Sequence, residues 1–267
     1  GHAYTGHPGD TLASALLANG VTLFGRSFKY HRPRGLMSAG IDEPNAMVTV
    51  LRGEGREPNV PATVIEIFDG LVAVSQNRFP SLSFDLNAVN QLAGRLLGAG
   101  FYYKTFMGPV IGPLKGTRFW MFCEHFIRRA AGLGRVGDVA DTSRYERVNA
   151  FCDVLVVGSG PAGLMAAKAA GEDGARVILA EFDPTFGGSA KWSDEAIAAR
   201  PAGLWAEAIV DELRTMPNVT LLPRTMVWGY YDDNTIAALE RVADHTASPA
   251  KGEPRHRSWT IRTGKVV

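Results

Sequence analysis

The chain has 267 residues, of which 46% are apolar and 21% charged, with a net charge of +1. That balance fits a globular protein with a sizeable core and excludes a general nucleic-acid or membrane-surface binder. Its two cysteines, Cys123 and Cys152, are far apart without C-x-x-C spacing; no disulfide framework or zinc site follows, and a reducing, cytoplasmic compartment fits.

No apolar run reaches transmembrane length, and the first residues do not read as a signal peptide. The chain opens without Met and closes on a strand, Lys265-Val-Val267, so a piece of a longer polypeptide is expected. The first element is a short helix within Gly9-Asp-Thr-Leu-Ala-Ser-Ala-Leu-Leu-Ala-Asn-Gly20. Asp10 or Thr11 caps it, Leu12, Leu16 and Leu17 make its apolar face, and Gly20 ends it after Asn19. The basic run Arg26, Lys29, His31, Arg32 and Arg34 has two readings: an anion or acidic-partner site, and a solvated loop with salt bridges. Alternating runs predict strands over 46–51 and 63–68, and Asp69-Gly70 turns the second into 71–74. One helix among short strands predicts an α+β β-grasp domain over 1–80.

That domain resembles plant-type ferredoxins, with residues 35–48 in the place of the cluster loop. The ferredoxin ligand spacing is C-x4-C-x2-C with a distant fourth cysteine. Laid onto this loop, it falls near Ser38, Glu43, Ala46 and Thr63. None is a cysteine, so a ferredoxin-like shape without a cluster is expected, and no metal site.

Residues 81–150 read as a helical or irregular connection. Helical spacing covers 86–97, an aromatic segment covers 101–107, and a second helix covers 120–131. The aromatic segment reads as core, with a partner contact as the other reading. His125 has no companion at metal-ligand spacing. Gly132-Leu-Gly-Arg-Val-Gly137 is a linker rather than a nucleotide loop, because no apolar strand precedes it.

The most informative stretch opens the third part, 151–267. In Asp153-Val-Leu-Val-Val-Gly-Ser-Gly-Pro-Ala-Gly163, four apolar strand residues run into a G-x-G-x-x-G turn. An alanine-rich helix follows, then a strand over 176–180 that ends on Glu181, about 20 residues past the turn. Together these make a dinucleotide-binding βαβ unit of an α/β Rossmann-like domain. Gly158 permits the turn, Gly160 lets the backbone approach a pyrophosphate, and Gly163 lets helix and strand pack closely. Pro161 suits the first helical turn, and with Ala162 and Gly163 it places free N–H groups and a positive dipole end before the phosphates. Glu181 is set to accept from ribose hydroxyls and would repel a 2′-phosphate, which disfavours NADP. The motif does not separate NAD from FAD, since both present the same ADP.

The loop Phe182-Asp-Pro-Thr-Phe-Gly-Gly188 resembles one that two-dinucleotide-domain flavoproteins lay over the pyrophosphate, nominating Phe182, Gly187 and Gly188. Strands are predicted over 219–222 and 225–228. In that flavoprotein class the second strand end supplies backbone groups to the adenine edge, which nominates Val227; simple core is its other reading. Asp232-Asp233 reads as a turn. No Ser–His–Asp, Cys–His or paired-carboxylate arrangement stands out, so no catalytic residue is named.

Several phrases together resemble the alpha subunits of heterotetrameric sarcosine oxidases. They are the helix phrase 9–20, Gly25-Arg-Ser-Phe-Lys-Tyr-His-Arg-Pro-Arg-Gly35, Glu43-Pro-Asn-Ala46, Gly100-Phe-Tyr-Tyr-Lys-Thr-Phe-Met107, the 152–163 motif and Gly229-Tyr-Tyr-Asp-Asp233. The resemblance implies an oxidoreductase subunit with NAD held by this domain and oxygen as electron acceptor. It implies beta, gamma and delta partner subunits, FAD on beta, FMN at an interface, and a folate domain of alpha that takes the one-carbon unit onto tetrahydrofolate. This chain ends before the family's Ala-Thr-Gly segment and folate domain, so the nucleotide domain is expected to be incomplete and the chain inactive alone. The other readings are an FAD-dependent pyridine-nucleotide oxidoreductase, against which no redox-active cysteine pair follows the turn, and a non-catalytic scaffold.

Overall fold

A computed structural model describes residues 1–92, 94, 112–113, 116–135 and 137–267. The chain forms two compact units, Gly1–Asp141 and Thr142–Val267. The aromatic segment 101–107 and residues 93 and 95–97 of the expected helix lie outside the described residues.

In the first unit, helix α1 (Leu12–Ala18) starts at the Thr11 cap. The Thr11 side chain accepts from the Ser14 N–H while the Ser14 hydroxyl takes the Thr11 N–H, so two orphan donors are satisfied reciprocally. Leu12 and Leu16 pack with Ala13 into the core, but Leu17, expected on that face, is exposed. A two-residue ladder joins β1 (Gly25–Arg26) and β2 (Pro33–Arg34). Then come β3 (Met47–Arg52), β4 (Gly55–Pro61) and β5 (Val72–Ser75), an antiparallel sheet in the order β4-β3-β5. The core gathers Ala13, Phe24, Ala46, Val48, Val50, Ala62 and Ile65.

One expected strand is not there. Residues 63–68 make a single bridge, Glu66 to Thr11, and otherwise serve the start of α1. Leu12 N–H donates to Ile65 O at 2.7 Å, Ala13 N–H to Ala62 O at 3.0 Å, and Ile67 N–H to Asp10 O at 3.0 Å. The orphan donors of a helix N-terminus have claimed this segment's carbonyls. Its place in the sheet is taken by β4, whose Pro58 and Pro61 disguise a strand. On a sheet edge those prolines cost little, because the outward N–H has no partner to lose. Of the helical spacing over 86–97, the described part is a 3-10 turn, Leu86–Gln91. Helix α2 (Thr117–Ala131) matches the second expected helix and carries His125 on an exposed face.

In the second unit a six-stranded sheet combines β6 (Tyr145–Val157), β7 (Val177–Ala180), β10 (Val219–Leu222), β11 (Thr225–Tyr231), β12 (Thr235–Arg241) and β13 (His256–Val266). A minor ladder, β8 (Ala196–Ile197) with β9 (Arg200–Pro201), lies outside it. The sheet order is β10-β7-β6-β13-β12-β11. The first four strands run parallel and the last three form an antiparallel meander. Helix α3 (Pro161–Glu172) crosses from β6 to β7, and α4 (Ala202–Thr215) leads back to β10. Period-two alternation feeds two cores. Val156, Val177 and Leu179 meet Leu164 and Ala167 of α3 and Trp205, Ile209 and Leu213 of α4 on one face. Leu155, Ile178, Cys152, Leu222, Ile236 and Ile261 fill the other.

Strand β6 starts at Tyr145, eight residues before the stretch Asp153–Val157 that its sequence announces. The first eight residues do not alternate polar and apolar in sequence, yet their side chains alternate between exposed and inward-facing, and they pair with β13 from His256 onward. Asp232-Asp233 does turn the chain, between β11 and β12, with Asp233 at φ 56°.

Candidate dinucleotide-binding site

The site is built where β6 ends. Its parallel register with β7 (Val154 to Val177 through Val157 to Ala180) brings Gly158 alongside the end of β7. Gly158 N–H donates to Ala180 O at 2.8 Å, and Gly158 has φ +94°, which only glycine adopts without strain. A Cβ on Gly163 would stand 2.0 Å from Gly158 O, so the third glycine is required by close approach. Gly160 is different. Its backbone (φ −61°, ψ 174°) suits any residue. What Gly160 provides is room: a Cβ would meet no heavy atom within 4 Å.

Helix α3 starts at that open face. Gly160 is its N-cap and Pro161 its first residue, and no side chain caps it. The first intrahelical bond is Leu164 N–H to Gly160 O, at 2.9 Å. The N–H groups of Ala162 and Gly163 therefore emerge at the positive end of the helix, free to receive an anion.

Glu181 follows β7 directly and is buried. Its Oε2 accepts from Ser159 N–H at 2.7 Å and from the Ser159 hydroxyl, and its Oε1 accepts from Asp183 N–H at 2.9 Å. A carboxylate offers about four lone-pair sites, so one site on Oε1 remains for a ligand hydroxyl.

Ser159 escaped the sequence reading because it occupies a free position of the motif. It is fully buried and ties three pieces together. Besides holding Glu181, its Oγ and O both receive Gly187 N–H, at 3.0 and 3.2 Å. That draws the double-glycine loop against the phosphate turn. A Cβ on Gly188 would come within 2.8 Å of Gly160 Cα, and Gly187 and Gly188 have φ of +120° and +51°.

Gly158, Gly160, Pro161, Ala162, Gly163, Glu181, Gly187 and Gly188 thus surround one place. Phe182 sits beside it, its ring under the Arg241 guanidinium at 4.6 Å and its carbonyl taking Arg241 Nη2 at 2.7 Å. Arg241 is a second neighbour that no sequence signal marked. Val227 lies on β11, whose first residue, Thr225, donates its N–H to Glu181 O at 2.7 Å. The Val227 side chain packs onto the core around Leu155 and Ile236, and its backbone pairs with Ala238 just before a bulge at Trp228.

In the first unit, the loop in the place of a ferredoxin cluster loop has a different centre. Glu43 is 1% exposed and accepts from the N–H groups of Met37, Ser38 and Asn45 at 2.7, 2.8 and 2.7 Å. Thr63 Oγ1 donates to Gly40 O at 2.5 Å, and Ala46 is fully buried. The basic run is not one patch: Arg26 binds the carbonyls of Leu82 and His31, while Lys29 and Arg32 lie over the Tyr30 ring. His31 is buried with Nδ1 2.7 Å from Asp85 Oδ2.

Comparison with known proteins places both units. Residues 1–78 match the 2Fe-2S iron-sulfur cluster binding domain family, and residues 153–217 match the FAD binding domain family. The second match agrees with the uncapped helix end and the room over Gly160. The first does not extend to the cluster: no thiolate stands in the loop, and the two cysteines lie on α2 and β6. The chain is 52% identical over 267 residues to sarcosine oxidase subunit alpha of Rhizobium meliloti (strain 1021), covering all of this chain and 26% of that protein. It is 35% identical to the same subunit of Corynebacterium sp. (strain U-96), over 97% of this chain and 22% of that protein. The fold matches L-proline dehydrogenase from P. horikoshii with a TM-score of 0.57 at 17% identity, over 98% of this chain and 37% of that one. The chain spans about a quarter of the length of these curated relatives and is homologous, along its whole length, to the sarcosine oxidase alpha subunits.

Proposed function

We propose that the second unit holds the ADP half of NAD, as part of the alpha subunit of a multi-flavin sarcosine oxidase. The observation that carries this is the open face over Gly160 at the uncapped end of α3, with the buried Glu181 carboxylate beside it. The N–H groups of Ala162 and Gly163 would face the pyrophosphate, and the remaining acceptor site on Glu181 Oε1 would take a ribose hydroxyl. Phe182, Gly187 and Gly188 would line the phosphate side, and the Val227 strand the adenine edge. A second reading is FAD in the same place, favoured by the match of residues 153–217 to an FAD binding domain. A bound nicotinamide or flavin would supply hydride chemistry; the chain's own residues bind and orient it. No general base is assigned.

In the full assembly, this chain would serve a cytoplasmic heterotetramer with beta, gamma and delta subunits. The assembly would demethylate sarcosine to glycine with oxygen as acceptor, giving hydrogen peroxide and a one-carbon unit for tetrahydrofolate. FAD on beta, FMN and tetrahydrofolate belong to that assembly. The test is release of the nucleotide from purified protein and its identification by mass. NAD supports the first reading and FAD the second. Neither one bound, with none taken up on addition, would leave a scaffold.

A further inference from the structure

In a cluster-bearing domain of this kind the loop wraps an anionic iron–sulfur group, held by thiolates and by hydrogen bonds to its sulfurs. In this chain the thiolates are gone, yet the loop still converges on one buried anion. Met37, Ser38 and Asn45 aim their N–H groups at the Glu43 carboxylate, which is 1% exposed. All four places that ferredoxin spacing assigns to cysteine now serve the same loop. Ser38 donates to Glu43 through its backbone, Glu43 is the acceptor, and Thr63 closes onto Gly40 O. The fourth, Ala46, is in the core; its N–H also favours the Glu43 carboxylate, and its carbonyl takes Ala62 N–H at 2.8 Å.

We propose that Glu43 is a built-in substitute for the cluster, its carboxylate being the anion around which the loop folds, so that the domain keeps its shape without metal and has no redox centre of its own.

Physical chemistry supports a central role over an incidental contact. A buried carboxylate is costly unless dipoles solvate it, and backbone N–H groups directed at it do so. Burial pushes the Glu43 carboxyl up, but the N–H groups of Ser38, Met37, Asn45 and Ala46 outweigh this and hold it below its ordinary value. A neutral side chain of the same size would leave those donors facing a half-matched amide.

The test uses the whole chain. In Glu43→Gln, hydrogen exchange at the amides of Met37, Ser38 and Asn45 should speed up by about tenfold to hundredfold, the range for hydrogen bonds to a charged group. Glu54→Gln, on the exposed β3–β4 turn, should leave these amides unchanged. If Glu43→Gln does not fold, Glu43→Ala is melted in formate and in chloride of equal ionic strength; formate should restore the transition and chloride should not. Incubating the unmodified chain with iron and sulfide should give no cluster absorbance. Unchanged exchange in Glu43→Gln, equal rescue of Glu43→Ala by chloride, or stoichiometric iron with labile sulfide in the unmodified chain would each overturn the proposal.

Discussion

In the proposed site Glu181 has two tasks for one carboxylate. Three of its acceptor sites fasten the phosphate turn and the following loop, and the proposed role of the last is to take a ribose hydroxyl. Glu181→Ala should therefore weaken NAD by about 1–3 kcal/mol, the cost of a hydrogen bond to charge, and also loosen Ser159. Calorimetric titration with NAD and NADP checks both affinity and choice. Equal binding of the two by the unmodified chain would remove the assignment. Gly160→Val isolates space from strain: its φ and ψ are open to valine and its Cβ meets no protein atom. The variant should keep its circular dichroism and lose dinucleotide binding. Unchanged nucleotide content would move the site elsewhere. Gly163 is the contrasting position, since any Cβ there collides with Gly158 O and should damage fold and binding together.

Among the elements, the βαβ unit was legible because each part has a local signal: an apolar strand, glycines with distinct tasks, Pro161 in the first turn, an acid at the next strand end. Ser159 was not, because its bonds reach Glu181 and Gly187, partners 22 and 28 residues away. Strand β4 was hidden by Pro58 and Pro61, and residues 63–68 passed for a strand because alternation does not say whose donors a carbonyl will meet. The first half of β6 needed β13, more than a hundred residues on, to become a strand. Two tests belong at this scale. Leu164, fully buried between α3 and the sheet, should cost about 2–5 kcal/mol when cut to Ala, read as a lower melting point. Asp244 anchors the β12–β13 connection to Arg255 Nε at 2.7 Å and His256 Nε2 at 2.8 Å. Burial pushes its carboxyl up, but the bond and charge of His256, then Arg255, hold it well below the ordinary 3.8. Its folded pKa is depressed, so its stabilisation is complete above about pH 3.8 and is lost as pH falls further. Acid unfolding of Asp244→Asn should be correspondingly less steep in that window.

Across the whole molecule, one unit carries the proposed dinucleotide site and its companion unit has a loop that holds no thiolate. Among the described residues no cluster of metal-ligating side chains stands beside either. No helix of the described residues is long and apolar enough to cross a membrane. The 267-residue chain alone is expected to show no oxidation of sarcosine. In the proposed reading its site only binds and orients a nucleotide, and no residue is assigned as a general base. Co-expression with the remainder of an alpha subunit and with a beta-type flavoprotein should yield hydrogen peroxide from sarcosine. Amine-dependent oxygen uptake by the isolated chain would contradict this. Better turnover of another N-methyl amino acid by the assembly would keep the mechanism and change the substrate.

The position of β6 also sets an order of events during synthesis. One neighbour, β7, is complete by Ala180, while the other, β13, begins only at His256. The turn, helix and acid of the nucleotide site can therefore assemble on a growing chain well before the sheet is closed. At about 5–20 residues per second, the open side of β6 waits several seconds for its partner. An unpaired edge of that length is a template for the wrong strand. Residues 145–157 are thus where a stalled or shortened translation product should first aggregate.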